Sequence, residues 1–219
     1  MHKEKYFTSE NIAAEAAAMA SALPINRRAL AFSMANSALL IIDMQRYFLC
    51  ASSHAFLPAA PAIIPNINAL IAAFKKAVRP LYFTCHANSA QDAGQMAVWW
   101  RELLTRDHPL GNIETTLHFY KDPIIKKTQY DAFFNTDLES CLQQSNTKQL
   151  VITGVSTHLC CESTARSAFM RGFAVFITID GTATLNRELH CASLNGLAHG
   201  CATPVLTADL IAASPGASS

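Results

Sequence analysis

The sequence is short of charge and of long apolar runs. Asp, Glu, Lys and Arg make up 15% of its 219 residues, and the formal net charge is +1 at pH 7. No block of Lys or Arg stands out, so a nucleic-acid surface is not expected. No apolar run reaches the roughly 18 residues that a membrane helix needs, and no apolar signal segment follows Phe7. We therefore expect a cytoplasmic protein that binds neither nucleic acid nor membrane.

The common cysteine motifs are also missing. The seven cysteines are odd in number and lack the spacing of a disulfide framework, which fits a reducing compartment better than a disulfide scaffold. Cys160 and Cys161 are adjacent, unlike the Cys-x-x-Cys pairs of redox and zinc sites. Hydrophobic residues make up 51% of the chain, enough for one domain with a large core.

What the sequence does contain is an alternation of strand-like and helical segments. The alternation predicts a parallel sheet covered on both faces. We predict a Rossmann-like three-layer α/β/α fold with about six mostly parallel strands over residues 37–213, between a helical extension (1–36) and a tail (214–219). The predicted strands are 37–42, 81–85, 124–125, 150–152, 174–179 and 204–206. The predicted helices are 9–22, 61–77, 137–144, 160–172 and 187–199, and residues 208–213 close the domain.

One stretch, residues 149–172, reads as strand, turn and helix. Gly154 marks the turn, and helical spacing of small and apolar residues begins at Cys160. A cysteine in the first helical turn, just beyond a strand, lies where backbone N–H groups and the helix dipole favour a thiolate. Cys160 is therefore either a nucleophile or, like most free cysteines, a small buried apolar residue. Cys161 points about 100° away around the helix and is expected to pack in the core.

Two other strands deliver charged residues to the same edge of the sheet. Asp43 follows the apolar strand 37–42, and Lys127 follows Ile124 and Ile125. With Cys160 they form a workable nucleophilic set, in which Asp43 takes the thiol proton while Lys127 keeps Asp43 ionised. The alternative is a structural ion pair between strand ends.

Four segments carry a resemblance to a known family. The sequence is similar to the isochorismatase-like cysteine hydrolases from about residue 38 to residue 210. The segments are 40–48 (LIIDMQRYF), 127–133 (KTQYDAF), 154–160 (GVSTHLC) and 162–169 (ESTARSAF). Each is moderately specific alone, and together in this order they are highly specific.

The resemblance implies a catalytic triad of Asp43, Lys127 and Cys160. It also implies a cis peptide bond between Val155 and Ser156, with the backbone N–H groups of Ser156 and Cys160 forming an oxyanion hole. Lys126 competes for the lysine role, but the spacing of Lys127 to the following tyrosine matches the family. We also expect an activated Cys160 to react with iodoacetamide before the other six cysteines near neutral pH.

The branches of the family differ in metal, nucleophile and substrate. The nicotinamidase branch carries Asp-x-His-x-x-His after its second strand, whereas residues 84–91 here read TCHANSAQ, so neither a metal nor another cofactor is expected. The vinyl-ether-cleaving branch lacks the cysteine that is present here. The resemblance therefore implies hydrolysis of an amide, carbamoyl or ureido C–N bond through a thioester on Cys160. Vinyl-ether hydrolysis, nicotinamide deamidation and a non-catalytic binding role remain as alternatives.

The resemblance leaves the substrate pocket less defined. The residues that we expect to contact a small-molecule substrate are Gln45, Phe48, His86, Trp99, Trp100 and Thr157. Neighbouring tryptophans on a helix diverge by about 100°, so only one of the pair is expected to face the site. Asp131 replaces the Ser that is common in the family. A homo-oligomer, dimer or tetramer, is expected.

Overall fold

The computed structural model describes residues 2–24 and 30–213. Within them, six parallel strands form one sheet in the order β3-β2-β1-β4-β5-β6. The strands are β1 (Ser37–Ile42), β2 (Leu81–His86), β3 (Ile124–Lys127), β4 (Gln149–Val155), β5 (Ala174–Ala183) and β6 (Thr203–Val205). The prediction of a parallel, six-stranded α/β fold is confirmed. The predicted tail, and residues 1 and 25–29 of the predicted extension, lie outside the described residues.

Helices of very different length connect the strands. The α-helices are α1 (Ile12–Ala22), α2 (Arg46–Leu49), α3 (Ala60–Lys76), α4 (Met96–Trp99), α5 (Leu138–Gln144), α6 (Glu162–Met170), α7 (Arg187–Gly200) and α8 (Thr207–Ala212). A 3₁₀ turn at Met34–Asn36 leads into β1, and a π-helical segment at Thr157–Cys161 leads into α6. None of the described helices is both long and apolar enough to cross a membrane.

The strand β1 lies in the middle of the sheet, between β2 and β4. All six of its residues are buried, as expected for an apolar strand covered on both faces. β2 follows it on one side and β4 lies on the other, so the chain connections diverge at this point. In open α/β sheets, ligands bind at the carboxyl ends of the strands beside such a switch point.

Two central strands are longer than the sequence pattern predicts. β4 runs on through Gly154, which the pattern marks as a turn. Gly154 has φ +110°, and a Cβ atom there would lie 2.1 Å from the carbonyl oxygen of Ile42, so close contact with β1 requires the glycine. β5 continues past Ile179 through the polar residue Asp180, whose carboxylate accepts hydrogen bonds from Thr207 N and Oγ1 at 2.8 and 2.7 Å.

The described part of the predicted N-terminal extension packs into the same core as the sheet. Phe7 is fully buried, and its ring centroid lies 4.6 Å from that of Tyr6. The Tyr6 hydroxyl accepts a hydrogen bond from Thr184 N at 2.9 Å. α1 contributes the buried residues Ala16 and Met19. The described residues before β1 therefore stabilise the fold of this chain.

Candidate active site

Asp43 is held at the end of β1 by its neighbour on β2. Its backbone has φ +46°, and its side chain is fully buried. Thr84 Oγ1 donates to Asp43 Oδ1 at 2.6 Å and accepts from Asp43 N at 3.0 Å. These two bonds fix both the carboxylate and the turn that carries it.

Lys127 reaches Asp43 from the end of β3. The Lys127 Nζ–Asp43 Oδ2 distance is 2.7 Å, both side chains are fully buried, and Nζ also donates to Gln129 O at 2.9 Å. Lys126 is exposed, because successive strand residues face opposite ways. The structure thus brings Lys127, and not Lys126, to Asp43.

Cys160 completes the cluster from beyond β4. It lies in the π-helical segment Thr157–Cys161, which continues directly into α6. Cys160 is therefore near the start of a helix beyond β4, as predicted, but the turn that carries it is π-helical. Single π turns inside helical stretches are frequent at functional sites. The Cys160 thiol is within hydrogen-bonding contact of both Asp43 and Lys127. Cys161 is fully buried.

Burial dominates the ionisation of the thiol. It raises the pKa of Cys160 to about 12; Lys127 opposes this shift, and Asp43 adds to it. The thiol is therefore neutral at rest, contrary to the thiolate expected for a helix start. Hydrogen bonds to Ser52 lower the pKa of the half-buried Cys50. The two opposite shifts favour reaction of iodoacetamide with Cys50 first, contrary to the expectation from the sequence.

For Lys127, neighbouring charges outweigh the effect of burial. Burial acts to lower the pKa of Lys127, but the charge of Asp43, followed by Cys160, outweighs it and the pKa is raised. Lys127 therefore remains an ammonium ion at neutral pH. The resting cluster consists of one ion pair and one neutral thiol.

The chain reverses direction between β4 and the π-helical segment at Val155 and Ser156. The peptide bond between them is cis, the isomer that the family resemblance implies. Ser156 and Cys160 both line a cavity of about 480 Å³ at this edge of the sheet. The cavity opens directly onto the candidate nucleophile.

Aromatic and aliphatic side chains dominate the cavity. Four of the six expected substrate contacts line it, namely Phe48, His86, Trp99 and Trp100. Both tryptophans border it, because α4 ends at Trp99 and Trp100 is extended (φ −99°, ψ 144°). The expectation that only one faces the site assumed that both are helical; Trp99 is 78% exposed and Trp100 40% exposed. Trp100 Nε1 donates to the hydroxyl of Tyr130 at 2.8 Å.

Gln45 does not line the cavity, so the prediction that it contacts the substrate was wrong. Its side chain is 1% exposed. Its Nε2 donates to His86 O at 3.0 Å and to Gly111 O at 2.7 Å, while Oε1 accepts from His86 N at 2.8 Å. Both donors and the acceptor are thus committed to backbone groups that would otherwise be buried without partners. Gln45 ties β2 to the loop at Gly111.

The prediction that Thr157 contacts the substrate was also wrong. It is fully buried and does not line the cavity. Its hydroxyl lies 2.9 Å from His190 Nδ1 on α7, and its carbonyl accepts from Ser193 Oγ at 3.3 Å. Thr157 therefore anchors the π-helical segment to α7 rather than contacting a ligand.

The position of the family's metal motif is occupied by a hydrogen-bond network. His86 Nε2 lies 2.8 Å from Asn88 Oδ1, and Asn88 Nδ2 donates to Thr128 O at 2.9 Å and to Asp92 Oδ1 at 3.3 Å. His86 Nδ1 is buried without a hydrogen-bond partner among the described residues, but Thr84 and Ser89 stand at the positions of the motif's Asp and second His. Only one of the three ligand side chains is therefore present, and the residues do not fit that metal site. Within residues 2–24 and 30–213, no group of three His, Cys, Asp or Glu side chains could hold a metal ion.

Asp131, the departure from the family pattern, faces a helix instead of the cavity. Its Oδ2 accepts from Ser167 Oγ on α6 at 2.7 Å, and its Oδ1 accepts from Phe133 N at 2.9 Å. The extra carboxylate therefore docks the segment after Lys127 onto α6.

Several cavity residues are missed by sequence reasoning. Tyr47, His54, Glu102 and Lys3 all line it, although they belong to segments far apart in the chain. Thr84, the partner of Asp43, is missed as well. Its only signal is a polar residue inside an otherwise apolar strand.

A model of the isochorismatase domain matches residues 37–209. The chain belongs to the isochorismatase family. Nicotinamidase 3 of Arabidopsis thaliana is 37% identical over 172 residues, which are 76% of this chain and 82% of that protein. Enterobactin synthase component B of Escherichia coli (strain K12) is 34% identical over 194 residues, which are 87% of this chain and 68% of that protein.

Solved structures agree on the fold of this isochorismatase-family chain. A cysteine hydrolase from Pseudomonas syringae pv. phaseolicola 1448A matches with a TM-score of 0.81 at 22% identity, over 88% of this chain and 97% of that one. At this identity the likeness shows the fold alone. The family and the sequence relatives show that the chain is a hydrolase.

Proposed function

We propose that this isochorismatase-family hydrolase cleaves the C–N bond of a small amide, carbamoyl or ureido compound without a metal, through a thioester on Cys160. The observation that carries the proposal is the buried Asp43–Lys127 ion pair, 2.7 Å long, in contact with a thiol that lines a cavity. A purely structural ion pair would not need a thiol beside it at the mouth of a cavity.

The high thiol pKa determines how attack must occur. With the pKa of Cys160 at about 12, a free thiolate at pH 7 costs about 7 kcal/mol, at roughly 1.4 kcal/mol per pH unit. Direct proton transfer avoids forming that isolated charge. Asp43, ion-paired and next to the thiol, is the acceptor. The sulfur attacks the substrate carbonyl carbon as its proton moves to Asp43.

The remaining steps return that proton. The tetrahedral oxyanion collapses, the C–N bond breaks, and the leaving nitrogen takes the proton from Asp43, which leaves a thioester on Cys160. Water then attacks the thioester and gives a proton to Asp43. The second intermediate releases the acid, and the sulfur recovers its proton from Asp43. Backbone N–H groups of Ser156 and Cys160 hold the oxyanion in both halves.

The cavity favours a flat, largely apolar amide. Its aromatic lining includes Phe48, Tyr130 and the two neighbouring tryptophans, which can pack against a ring. The 37% identity to Arabidopsis thaliana nicotinamidase 3 makes nicotinamide the first aromatic carboxamide to test. The homo-oligomer expected from the sequence remains a prediction.

The decisive experiment combines a substrate panel with variants of the nucleophile. Ammonia release is measured for nicotinamide, other aromatic amides, carbamoyl amino acids and ureido acids. We expect Cys160→Ala and Cys160→Ser to stay folded and to lose turnover, and we expect a quenched wild-type reaction to show an acyl mass on the Cys160 peptide. Full turnover by Cys160→Ala on an accepted substrate would refute the proposal.

The name of the nicotinamidase 3 relative also favours a second candidate, nicotinamide deamidation, and a metal-assisted form of it is tested although residues 84–91 do not fit the family's metal site. In that case nicotinamide hydrolysis would stop with a chelator and return on addition of zinc. Turnover unchanged by chelation supports the metal-independent route. Isochorismate is assayed separately from the ammonia-release panel, by loss of the ether, because the matching family model is the isochorismatase domain; its cleavage by Cys160→Ala would show vinyl-ether chemistry instead.

A further inference from the structure

A segment outside the family domain contributes to the cavity. The isochorismatase model begins at residue 37, yet Lys3 lines the same cavity as Cys160. We call residues 2–7 the N-terminal arm. Its last two residues, Tyr6 and Phe7, are buried in the core, which fixes the direction from which the arm approaches.

The arm is pinned along the loop between β5 and α7. Glu4 N donates to Leu185 O at 2.9 Å, and Arg187 N donates to Glu4 Oε2 at 3.0 Å. Asn186 Nδ2 donates to His2 O at 3.4 Å. Leu185 itself lines the cavity, so these bonds hold the arm beside one cavity wall.

Lys3 then connects the β5–α7 loop to the loop 50–57, which forms another side of the cavity. Its Nζ donates to the carbonyl oxygens of His54 (2.5 Å) and Phe56 (2.8 Å), which belong to the loop 50–57 between α2 and α3. The loop is itself fixed, because the His54 ring lies 3.3 Å from the Tyr47 hydroxyl at Nε2 and 3.1 Å from Glu102 Oε2 at Nδ1. Lys3 therefore bonds to an anchored partner.

We propose that Lys3 is a specificity-determining, positioning residue: by joining the loop 50–57 to the β5–α7 loop, it closes one side of the substrate cavity and limits the size of the group that reaches Cys160. The substrate site then consists of the family domain and the N-terminal arm together. The inference rests on the proposed function only in that the substrate occupies this cavity.

Access to the cavity can be measured without any turnover. Alkylation of Cys160 at pH 9 by iodoacetamide and by the bulkier iodoacetanilide is followed by mass spectrometry of the Cys160 peptide. Lys3→Met removes both bonds and keeps a long side chain. We expect it to raise the ratio of bulky to small labelling about fivefold, the effect of losing roughly one net hydrogen bond.

Two matched variants complete the access experiment. Lys5→Met removes an exposed lysine from the same arm that does not line the cavity, and it should keep the wild-type ratio. Lys3→Arg retains a cationic donor and should also stay near the wild-type ratio. The proposal is overturned if Lys3→Met and Lys5→Met give the same ratio.

Steady-state kinetics then tests the same residue during catalysis. For an accepted amide and a bulkier homologue, Lys3→Met should raise KM for the small substrate with little change in kcat, and should improve relative kcat/KM for the bulky one. A fall in kcat equal for both substrates would overturn the specificity role. If no amide is hydrolysed, the proposed function fails, while the labelling ratio still decides the role of Lys3.

Discussion

The buried ion pair permits a quantitative test of the site. Lys127→Met removes the ammonium and leaves the fully buried Asp43 carboxylate without its partner at 2.7 Å. Breaking a buried pair in this way costs about 3–5 kcal/mol of unfolding free energy. At a urea dependence of roughly 2–3 kcal/mol/M, the unfolding midpoint should fall by about 1–2 M.

The double variant Asp43→Asn/Lys127→Met separates lost charge pairing from lost packing. It removes both charges, so it should recover a large part of the stability lost in Lys127→Met, because replacing both members of a buried pair is far less costly than removing one.

Urea unfolding followed by tryptophan fluorescence at pH 7 provides the assay. Lys126→Met is the matched control, because Lys126 is the adjacent, exposed residue of β3; its free energy of unfolding should stay within about 0.5 kcal/mol of wild type. Equal midpoints for Lys126→Met and Lys127→Met, or a double variant no more stable than Lys127→Met, would refute the reasoning.

Three further predictions concern neighbouring residues. Thr84→Val removes the 2.6 Å bond to Asp43 Oδ1 and should lower kcat about tenfold, whereas unchanged kcat would show that Asp43 needs no such support. Gln45→Leu leaves two buried backbone groups of His86 and the part-buried carbonyl of Gly111 without this partner and should lower the free energy of unfolding by about 2–3 kcal/mol; a loss of substrate binding at unchanged stability would restore its role as a ligand contact. At pH 7, iodoacetamide should label Cys50 before Cys160, because the pKa of Cys50 is lowered and that of Cys160 is raised. Faster labelling of Cys160 in peptide mapping would contradict the effect of burial.

The sequence predicts a residue of this site only where the residue's role depends on its neighbours in the chain, and fails where its partners are distant in the chain. Asp43 and Lys127 are identifiable because apolar strands end at them and because strand residues alternate between faces. Gln45 and Thr157 are misassigned because their neighbours in sequence are site residues, whereas their hydrogen-bond partners lie on β2, the loop at Gly111 and α7. No local pattern encodes such partners.

Lys3 shows the same limit more clearly. Its partners at His54 and Phe56 lie 51 and 53 residues away, and their carbonyl groups leave no mark on side-chain patterning. The burial that raises the thiol pKa is likewise a property of the assembled sheet edge. Local sequence suggested an activated thiolate at a helix start, but desolvation in the fold exceeds that effect.

A site that raises the thiol pKa can still support thiol chemistry if its total charge never changes. At rest the cluster holds an ammonium, a carboxylate and a neutral thiol. After proton transfer it holds the ammonium, a neutral carboxylic acid and a negative sulfur or oxyanion, so the net charge is zero in both states. Burial penalises a net charge far more than an internal transfer. The pKa values of Cys160 and Lys127 are both raised, so the rate should not fall on the alkaline side until above about pH 10. A kcat that rises tenfold per pH unit from pH 7 to pH 9 would instead show attack by a free thiolate.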